Sequence, residues 1–382
     1  MNSFREIAFS KPHIPNNTLG EINMVLKSGW ITTGPKSKEF EQSFCKLINA
    51  KNGVAVCSCT AALHLAYSVS GFKPGDEIIV PSFTFCSTIN MLVHLGVKPV
   101  FCDILEESFC LDPIDVESRI TPQTKAIVVV HFAGKPAPMK EITKIAKKNK
   151  LIIIEDAAHA FLTKYKGKYI GDSNNICCFS FYATKNLTTA EGGMVTSKNK
   201  SLSDKMRLLS MHGISKHAWN RYSKIGTWKY DVLMPGYKYN LTDIQAVIGV
   251  EQLKVALESR KKRLMLVNRY LEQLSTNKNL ILPTEPKDKD SEHSWHLFTI
   301  RLKKSARVSR DQLIEEMKKQ GISTSVHFIP NHLQKFYRKT YSKGLNLPVT
   351  EKVYKSILSL PLYEDLSISD VDYVASIVND LV

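Results

Sequence analysis

Two side chains in this sequence could do chemistry together if a fold made them neighbours: Lys185 and Asp156. Lys185 stands in Phe179-Ser180-Phe181-Tyr182-Ala183-Thr184-Lys185-Asn186, beyond a strand-like apolar run and ahead of Glu191-Gly192-Gly193. A loop lysine is ordinarily solvated. A Schiff-base lysine must instead sit in a closed site with its amine partly neutral. Asp156 belongs to Ile152-Ile153-Ile154-Glu155-Asp156-Ala157-Ala158-His159, where an acidic pair ends a buried strand and needs partners for its charge. Three roles are open to it: an ion pair with a structural cation, a metal ligand, or the carboxylate that keeps a pyridine nitrogen protonated, as pyridoxal phosphate (PLP) requires of its electron sink.

Two further stretches put polar or aromatic groups at strand ends. Val54-Ala55-Val56-Cys57-Ser58-Cys59-Thr60-Ala61-Ala62 runs from a strand directly into a helix. A helix N-terminus offers free N–H groups and partial positive charge, a seat for phosphate, although a Ser or Thr there also serves as a plain cap. Pro81-Ser82-Phe83-Thr84-Phe85-Cys86-Ser87-Thr88 places two phenyl rings at another strand end. One of them could stack on a planar cofactor while the other packs into the core.

The elements that position these groups follow from apolar periodicity. Strands are predicted at 54–57, 77–80, 99–102, 126–130, 151–155 and 176–181, with helices at 60–70, 88–95 and 139–148 among them. Continuous Val/Ile runs separated by helices indicate parallel strands buried on both faces, hence an α/β sheet covered by helices. Ligands of such sheets bind beyond the carboxyl ends of the strands. A helix is predicted at 201–210, a structured loop at 219–240, and a long helix at about 241–274 capped by Asn240 or Thr242. A boundary falls in the charged, Pro-containing stretch 283–293. Beyond it, a segment at 294–302, a helix at 310–320, a strand at 322–328 and a helix near 370–381 suggest a small α+β domain. The predicted division is residues 1–275 for the large domain with its connecting helix and 276–382 for the small one.

The chain has 382 residues, 43% hydrophobic and 23% charged, as expected of globular proteins. Its longest apolar runs are strand length, far short of a membrane span, and Met1–Glu6 shows no basic segment leading into an apolar core. A cytoplasmic location is expected. Eight cysteines, all in the first half, lie mostly in apolar runs and include no Cys-x-x-Cys pair, so buried thiols rather than disulfides or a zinc site are predicted. Cys59 alone is expected near a site, through its backbone. The net charge of +16 raises nucleic-acid binding. The lysines are dispersed, however, and the densest stretches, 144–150 and 260–263, fall on predicted polar helix faces without any recognisable nucleic-acid motif. A solvated basic surface that attracts an anionic nucleotide substrate is the better reading.

These motifs, in this order, closely resemble those of the DegT/StrS-type sugar aminotransferases, which belong to the aspartate-aminotransferase fold (fold type I). The resemblance extends to Ser28-Gly29-Trp30-Ile31-Thr32-Thr33-Gly34-Pro35, Gly236-Tyr237-Lys238-Tyr239-Asn240-Leu241-Thr242-Asp243-Ile244 and Ser359-Leu360-Pro361-Leu362. It implies a mostly parallel seven-stranded sheet in the large domain and PLP held by Lys185 as an aldimine. It also implies a ping-pong transfer of the amino group of L-glutamate to a keto-sugar, with Lys185 as acid and base. By the same resemblance Asp156 would meet the pyridine nitrogen, Phe85 would stack on the ring, and His159 would lie against its other face or near its phenolic oxygen. Thr60, the Ala61 backbone and Ser180 would hold the phosphate, and Asn240 would reach a phosphate across a homodimer interface. His327 matches a substrate-side position, and Trp30, Thr32, Tyr182 and Trp219 are weaker substrate candidates. The overall match is nearest to enzymes acting on a 4-keto sugar of a nucleotide diphosphate, such as the one making 4-amino-4-deoxy-L-arabinose for lipid A. Antibiotic sugars and O-antigen remain open as destinations. Tyr182 departs from a common His, Ala183 from a common Pro, and Phe85 from the Trp of the nearest relatives; the first of these leaves the sugar open. The alternatives are a PLP-dependent sugar dehydratase on the same fold, which carries His in place of the lysine, and a catalytically idle PLP-fold protein that is regulatory or binds nucleic acid.

Overall fold

In the computed structural model, residues 6–215 and 229–382 are described. Trp219 lies outside them. A seven-stranded sheet organises the larger part, built from β1 (Asn52–Val56), β2 (Glu77–Pro81), β3 (Lys98–Cys102), β4 (Thr124–Val130), β5 (Ile152–Asp156), β8 (Ile176–Ser180) and β9 (Gly193–Ser197), with β6 (Lys164–Tyr165) and β7 (Lys168–Tyr169) forming a separate hairpin. The order is β1-β9-β8-β5-β4-β2-β3, and β9 alone runs antiparallel, between β1 and β8. This is the mostly parallel sheet that the resemblance implies. Its strands are buried almost throughout, which is why they read as unbroken apolar runs.

Helices cover both faces. On one, α3 (Cys59–Val69), α4 (Ser87–His94) and α7 (Lys200–Leu209) enclose a core that includes Leu63, Leu65, Tyr67, Ile78, Val80 and Met206. On the other, Phe40, Phe44 and Ile48 of α2 (Pro35–Ile48) pack with Phe179, Phe181, Ala246 and Val250. α1 (Thr18–Ser28) precedes it, and α5 (Pro113–Ser118) and α6 (Met139–Lys148) complete this half. The 32-residue α8 (Asp243–Leu274) is capped by Thr242, whose side chain accepts from the Gln245 N–H in a reciprocal capping box. Of the two capping residues the sequence offers, Thr242 is the one used.

Leu266, Val267, Tyr270 and Leu274 at the end of α8 enter a separate apolar cluster. There they meet β10 (Leu280–Ile281), β11 (Phe298–Leu302), β12 (Ile357–Leu360), α9 (Arg310–Lys319) and α12 (Ile368–Leu381), while α10 (Lys335–Thr340) and α11 (Pro348–Ser356) lie between α9 and β12. The three strands pair antiparallel in the order β10-β11-β12. The strand predicted at 322–328 does not form. That segment makes only single bridges, Ile322 to Ile7 and Ser325 to Ser359, the latter on the edge of β12 away from β11, so its contact with the small sheet is one residue long. The basic stretch 260–263 also needs correction. Arg263 is buried and donates to the carbonyl oxygens of Trp295 (3.0 Å), His296 (2.9 Å) and Leu362 (3.0 Å), tying two small-sheet segments to the long helix.

Candidate active site

The carboxyl ends of β1, β2, β5 and β8 meet along one edge of the sheet and surround a cavity of about 360 Å3. Successive strand residues point to opposite faces, so the two acids ending β5 separate. Glu155 turns away from the cavity into a buried cluster in which His131 Nε2 lies 2.8 Å away and Asn175 and Ser173 donate to it. Burial works to raise its pKa, but these hydrogen bonds hold it below the ordinary carboxylate range. Asp156 lines the cavity. Its Oδ2 accepts from Thr88 Oγ1 at 2.7 Å and its Oδ1 from the Ala158 N–H at 3.1 Å. Burial raises its pKa, opposed by Thr88, Ala158 and the charge of Lys185.

Lys185 reaches the same cavity from the loop after β8, the strand paired with β5. Burial depresses its amine to about 8, against the opposing influence of Cys59 and Asp156. This is the desolvated setting that a reactive lysine requires. Three histidines surround it. His159 Nδ1 accepts from the Ala133 N–H at 3.2 Å, so a neutral ring carries its proton on Nε2. His327 Nδ1 lies 2.9 Å from Ser359 Oγ, and burial pushes this imidazole down to about 4. His296 places Nε2 3.5 Å from Lys185 Nζ.

The helix expected to begin at Thr60 begins one residue earlier, and Ser58 caps it by accepting from the Ala61 N–H at 3.1 Å. The Ala61 donor is thus already engaged. Cys59 and Thr60, which have no intrahelical acceptor, are the residues of that turn that line the cavity. Gly193 at the start of β9 is required here, because a Cβ would collide with the backbone at Ser58 and Cys59. Of the two rings in the 81–88 stretch, Phe83 is core, packed on Phe132, whereas Phe85 is 58% exposed at the cavity wall. Ser180, Tyr182, His159 and His327 also line the cavity.

Besides Ala61, the candidates Asn240, Trp30 and Thr32 stand outside the cavity. Asn240 Nδ2 donates to Thr33 Oγ1 at 2.7 Å, Trp30 Nε1 donates to the Thr33 carbonyl at 2.9 Å, and the Thr32 carbonyl accepts from the Asp243 N–H. Sequence reasoning does not single out Thr88, His296, Phe328, Phe9 or Ser10, of which Thr88 contacts Asp156 and the others line the cavity. A histidine at the head of β11, 111 residues beyond Lys185, carries no local signal of that proximity. All eight cysteines are free thiols, and Cys59 donates its Sγ proton toward the Cys178 carbonyl. Among the described residues, no helix is long and apolar enough to cross a membrane.

Comparison with known proteins decides the class. The DegT/DnrJ/EryC1/StrS aminotransferase family model matches residues 12–379. The chain belongs to this family. A curated relative, the spore coat polysaccharide biosynthesis protein SpsC of Bacillus subtilis, is 44% identical over 379 residues, covering 98% of this chain and 97% of that protein. Among solved structures, a Streptococcus pneumoniae protein assigned as a sugar aminotransferase superimposes in its PMP form with a TM-score of 0.93 at 32% identity, covering 98% of this chain and 99% of that one. PseC of Helicobacter pylori, an aminotransferase involved in the biosynthesis of pseudoaminic acid, matches with a TM-score of 0.92 at 30% identity, covering 99% of each chain. The Streptococcus protein has also been solved in a PLP form.

This family member is therefore a PLP-dependent sugar aminotransferase on fold type I. The cavity fits the cofactor by its donor set: a buried amine of lowered pKa, a buried carboxylate, a helix N-terminus for an anion and an exposed aromatic face.

Proposed function

We propose that this enzyme transfers the amino group of L-glutamate to a 4-keto (deoxy)sugar linked to a nucleotide diphosphate, with Lys185 as the residue that holds PLP and moves the proton. The observation that carries this reading is the placement of Lys185 and Asp156 on one cavity beside the N-terminus of α3. PLP supplies an electron sink and a temporary carrier for the amino group between two half-reactions. Asp156 would hold a proton on the pyridine nitrogen, and the Thr88 hydrogen bond, which favours the ionised form, would keep the carboxylate aimed. Phe85, at the cavity wall, would pack against the cofactor ring. His159 would lie against the ring or offer its Nε2–H to the phenolic oxygen. The Cys59 and Thr60 N–H groups, the Thr60 hydroxyl and Ser180 would hold the phosphate, the Ala61 N–H being committed to Ser58. Lys185 Nζ, partly neutral near physiological pH, takes a proton from the substrate carbon and returns it.

Glutamate gives up its amine and departs before the keto-sugar enters. His327 and Tyr182 face the incoming sugar, and the basic net charge of +16 favours the anionic diphosphate. A homodimer with shared sites explains why Asn240, Trp30 and Thr32 stand outside their own chain's cavity: each belongs to the partner's site, Asn240 at its phosphate. Leu19, Met24, Leu26, Trp30 and Ile31, all exposed, support such a covered face. Residues 276–382 form the smaller domain in this reading, and the enzyme works in the cytoplasm. The likeness to a spore coat polysaccharide biosynthesis protein favours a sugar destined for a polysaccharide, with O-antigen, lipid A and antibiotic sugars as the candidate destinations. The test is a panel of UDP-, dTDP- and GDP-linked 4-keto sugars supplied with glutamate and read by product mass. An aminated sugar from one of them supports the reading; glutamate turnover with other keto acceptors but none of these refutes the substrate class.

A further inference from the structure

We infer that His296 is a positioning residue for Lys185, fixed by Asn186 in the tautomer that turns a bare Nε2 lone pair toward the lysine amine. The inference rests on the reading of Lys185 as the reactive amine and adds to it the group that holds that amine whenever it is free.

The chain of hydrogen bonds has a single direction. Asn186 Nδ2 donates to the Ser294 carbonyl oxygen at 2.9 Å, and a carbonyl can only accept, so the amide orientation is settled. Asn186 Oδ1 therefore faces His296 Nδ1, at 3.1 Å, and must accept from it. A neutral imidazole with its proton on Nδ1 has none on Nε2, and Nε2 is the atom 3.5 Å from Lys185 Nζ. The imidazole is buried, and burial together with the charge of Lys185 keeps its pKa well below the ordinary value, so it remains an acceptor at neutral pH. Its backbone is held on both sides, by the N–H to the Ala133 carbonyl at 2.9 Å and by Arg263 donating to its own carbonyl. Asn186 directly follows Lys185, so the segment that carries the amine also carries the group that orients its acceptor. The other titratable groups facing this pair are His159, whose ring centroid lies 4.4 Å from that of His296, with His327, Asp156, Cys59 and the Arg263 guanidinium.

Lys185 is free in the cofactor-free chain and in the form loaded with pyridoxamine phosphate. In both, His296 accepts an amine N–H and restricts the rotation of a long, flexible side chain. The same bond favours the ammonium form and offsets part of the depression that burial imposes.

The experiment uses the full chain labelled with 15N-histidine, cofactor-free and again with added pyridoxamine phosphate, with the resonances assigned by His296→Gln. The expected spectrum has His296 neutral with its proton on Nδ1; a proton on Nε2 overturns the inference. A second measurement follows the pH dependence of Lys185 acylation in the cofactor-free chain, located by peptide mass. His296→Phe should move the midpoint down from about 8 by about one to two pH units, whereas His296→Gln, which restores an acceptor oxygen, should stay near the unsubstituted chain. An unmoved or raised midpoint in His296→Phe refutes the acceptor role. Both readouts are independent of catalysis: attachment of PLP to a different lysine would refute the active-site reading while leaving the His296 tautomer as an observed fact.

Discussion

Substituting Thr88 by valine removes one hydrogen bond from Asp156 and almost no volume, and its consequences can be worked through. A carboxylate is acceptor-only, so the single Thr88 hydroxyl proton goes to Asp156 Oδ2. Thr84 Oγ1, 3.0 Å from Thr88 Oγ1, must then donate to Thr88. The relay Thr84 to Thr88 to Asp156 is buried, and the Thr88 bond opposes the upward push of burial on the Asp156 pKa. A hydrogen bond to a charged group contributes about 1.5–3 kcal/mol, and one pKa unit corresponds to about 1.4 kcal/mol. Thr88→Val should therefore raise the Asp156 pKa of the cofactor-free protein by about one to two units. A protonated Asp156 cannot pair with a pyridinium, so PLP affinity falls once the pH drops below that pKa. The assay is the equilibrium dissociation constant of PLP as a function of pH. The pH below which affinity falls should lie about one to two units higher in Thr88→Val, and the two curves should converge at higher pH. Thr84→Val, one bond further away, should move it in the same direction by less. An unmoved curve in Thr88→Val would refute the assignment of Asp156 to the pyridine nitrogen.

Three further outcomes are expected. Lys185→Ala should fold, with an unchanged circular dichroism spectrum, and lose transamination by roughly a thousandfold or more, because nucleophile and proton carrier vanish together; retained turnover in a stopped-flow assay would contradict this. In the cofactor-free protein, the rate of covalent PLP attachment should rise through pH of about 8 and level off above it, since only the neutral amine attacks; a rate falling across that range would show a different nucleophile. Arg263→Leu leaves three buried carbonyl oxygens without their donor and should destabilise the fold by about 3–5 kcal/mol in denaturant titrations.

Much of this architecture is legible in the residue order, and the exceptions have physical reasons. The central strands announce themselves because burial on both faces makes them continuous apolar runs. Direction does not: β9 is as buried as its neighbours, and nothing in Gly193–Ser197 reports that it runs antiparallel. In α1 only Thr18 and Val25 are buried while Leu19, Met24 and Leu26 are exposed, so no apolar stripe marks a core-facing side. α2 does carry such a stripe, Phe40, Phe44 and Ile48, which could have revealed it. The 322–328 segment alternates apolar and polar residues as a strand would, but it meets β12 only at the Ser325–Ser359 bridge, too short a pairing to make a strand. In the site, Asp156 stands out because it ends an apolar strand, and Lys185 because it sits in the loop just beyond another. Arg263 looks like part of a solvated basic run, since no pattern along the sequence shows that three carbonyl oxygens converge on one guanidinium. Thr88 and His296 look ordinary in sequence and acquire meaning only through partners far along the chain.

The central claim is that the cofactor attaches at residue 185. Borohydride reduction of the PLP-loaded protein, followed by peptide mass mapping, tests it directly. The expected result is one stoichiometric pyridoxyl adduct, on the peptide carrying Lys185. A stoichiometric adduct on any other lysine, or none at all on a protein that still transaminates, would contradict the account.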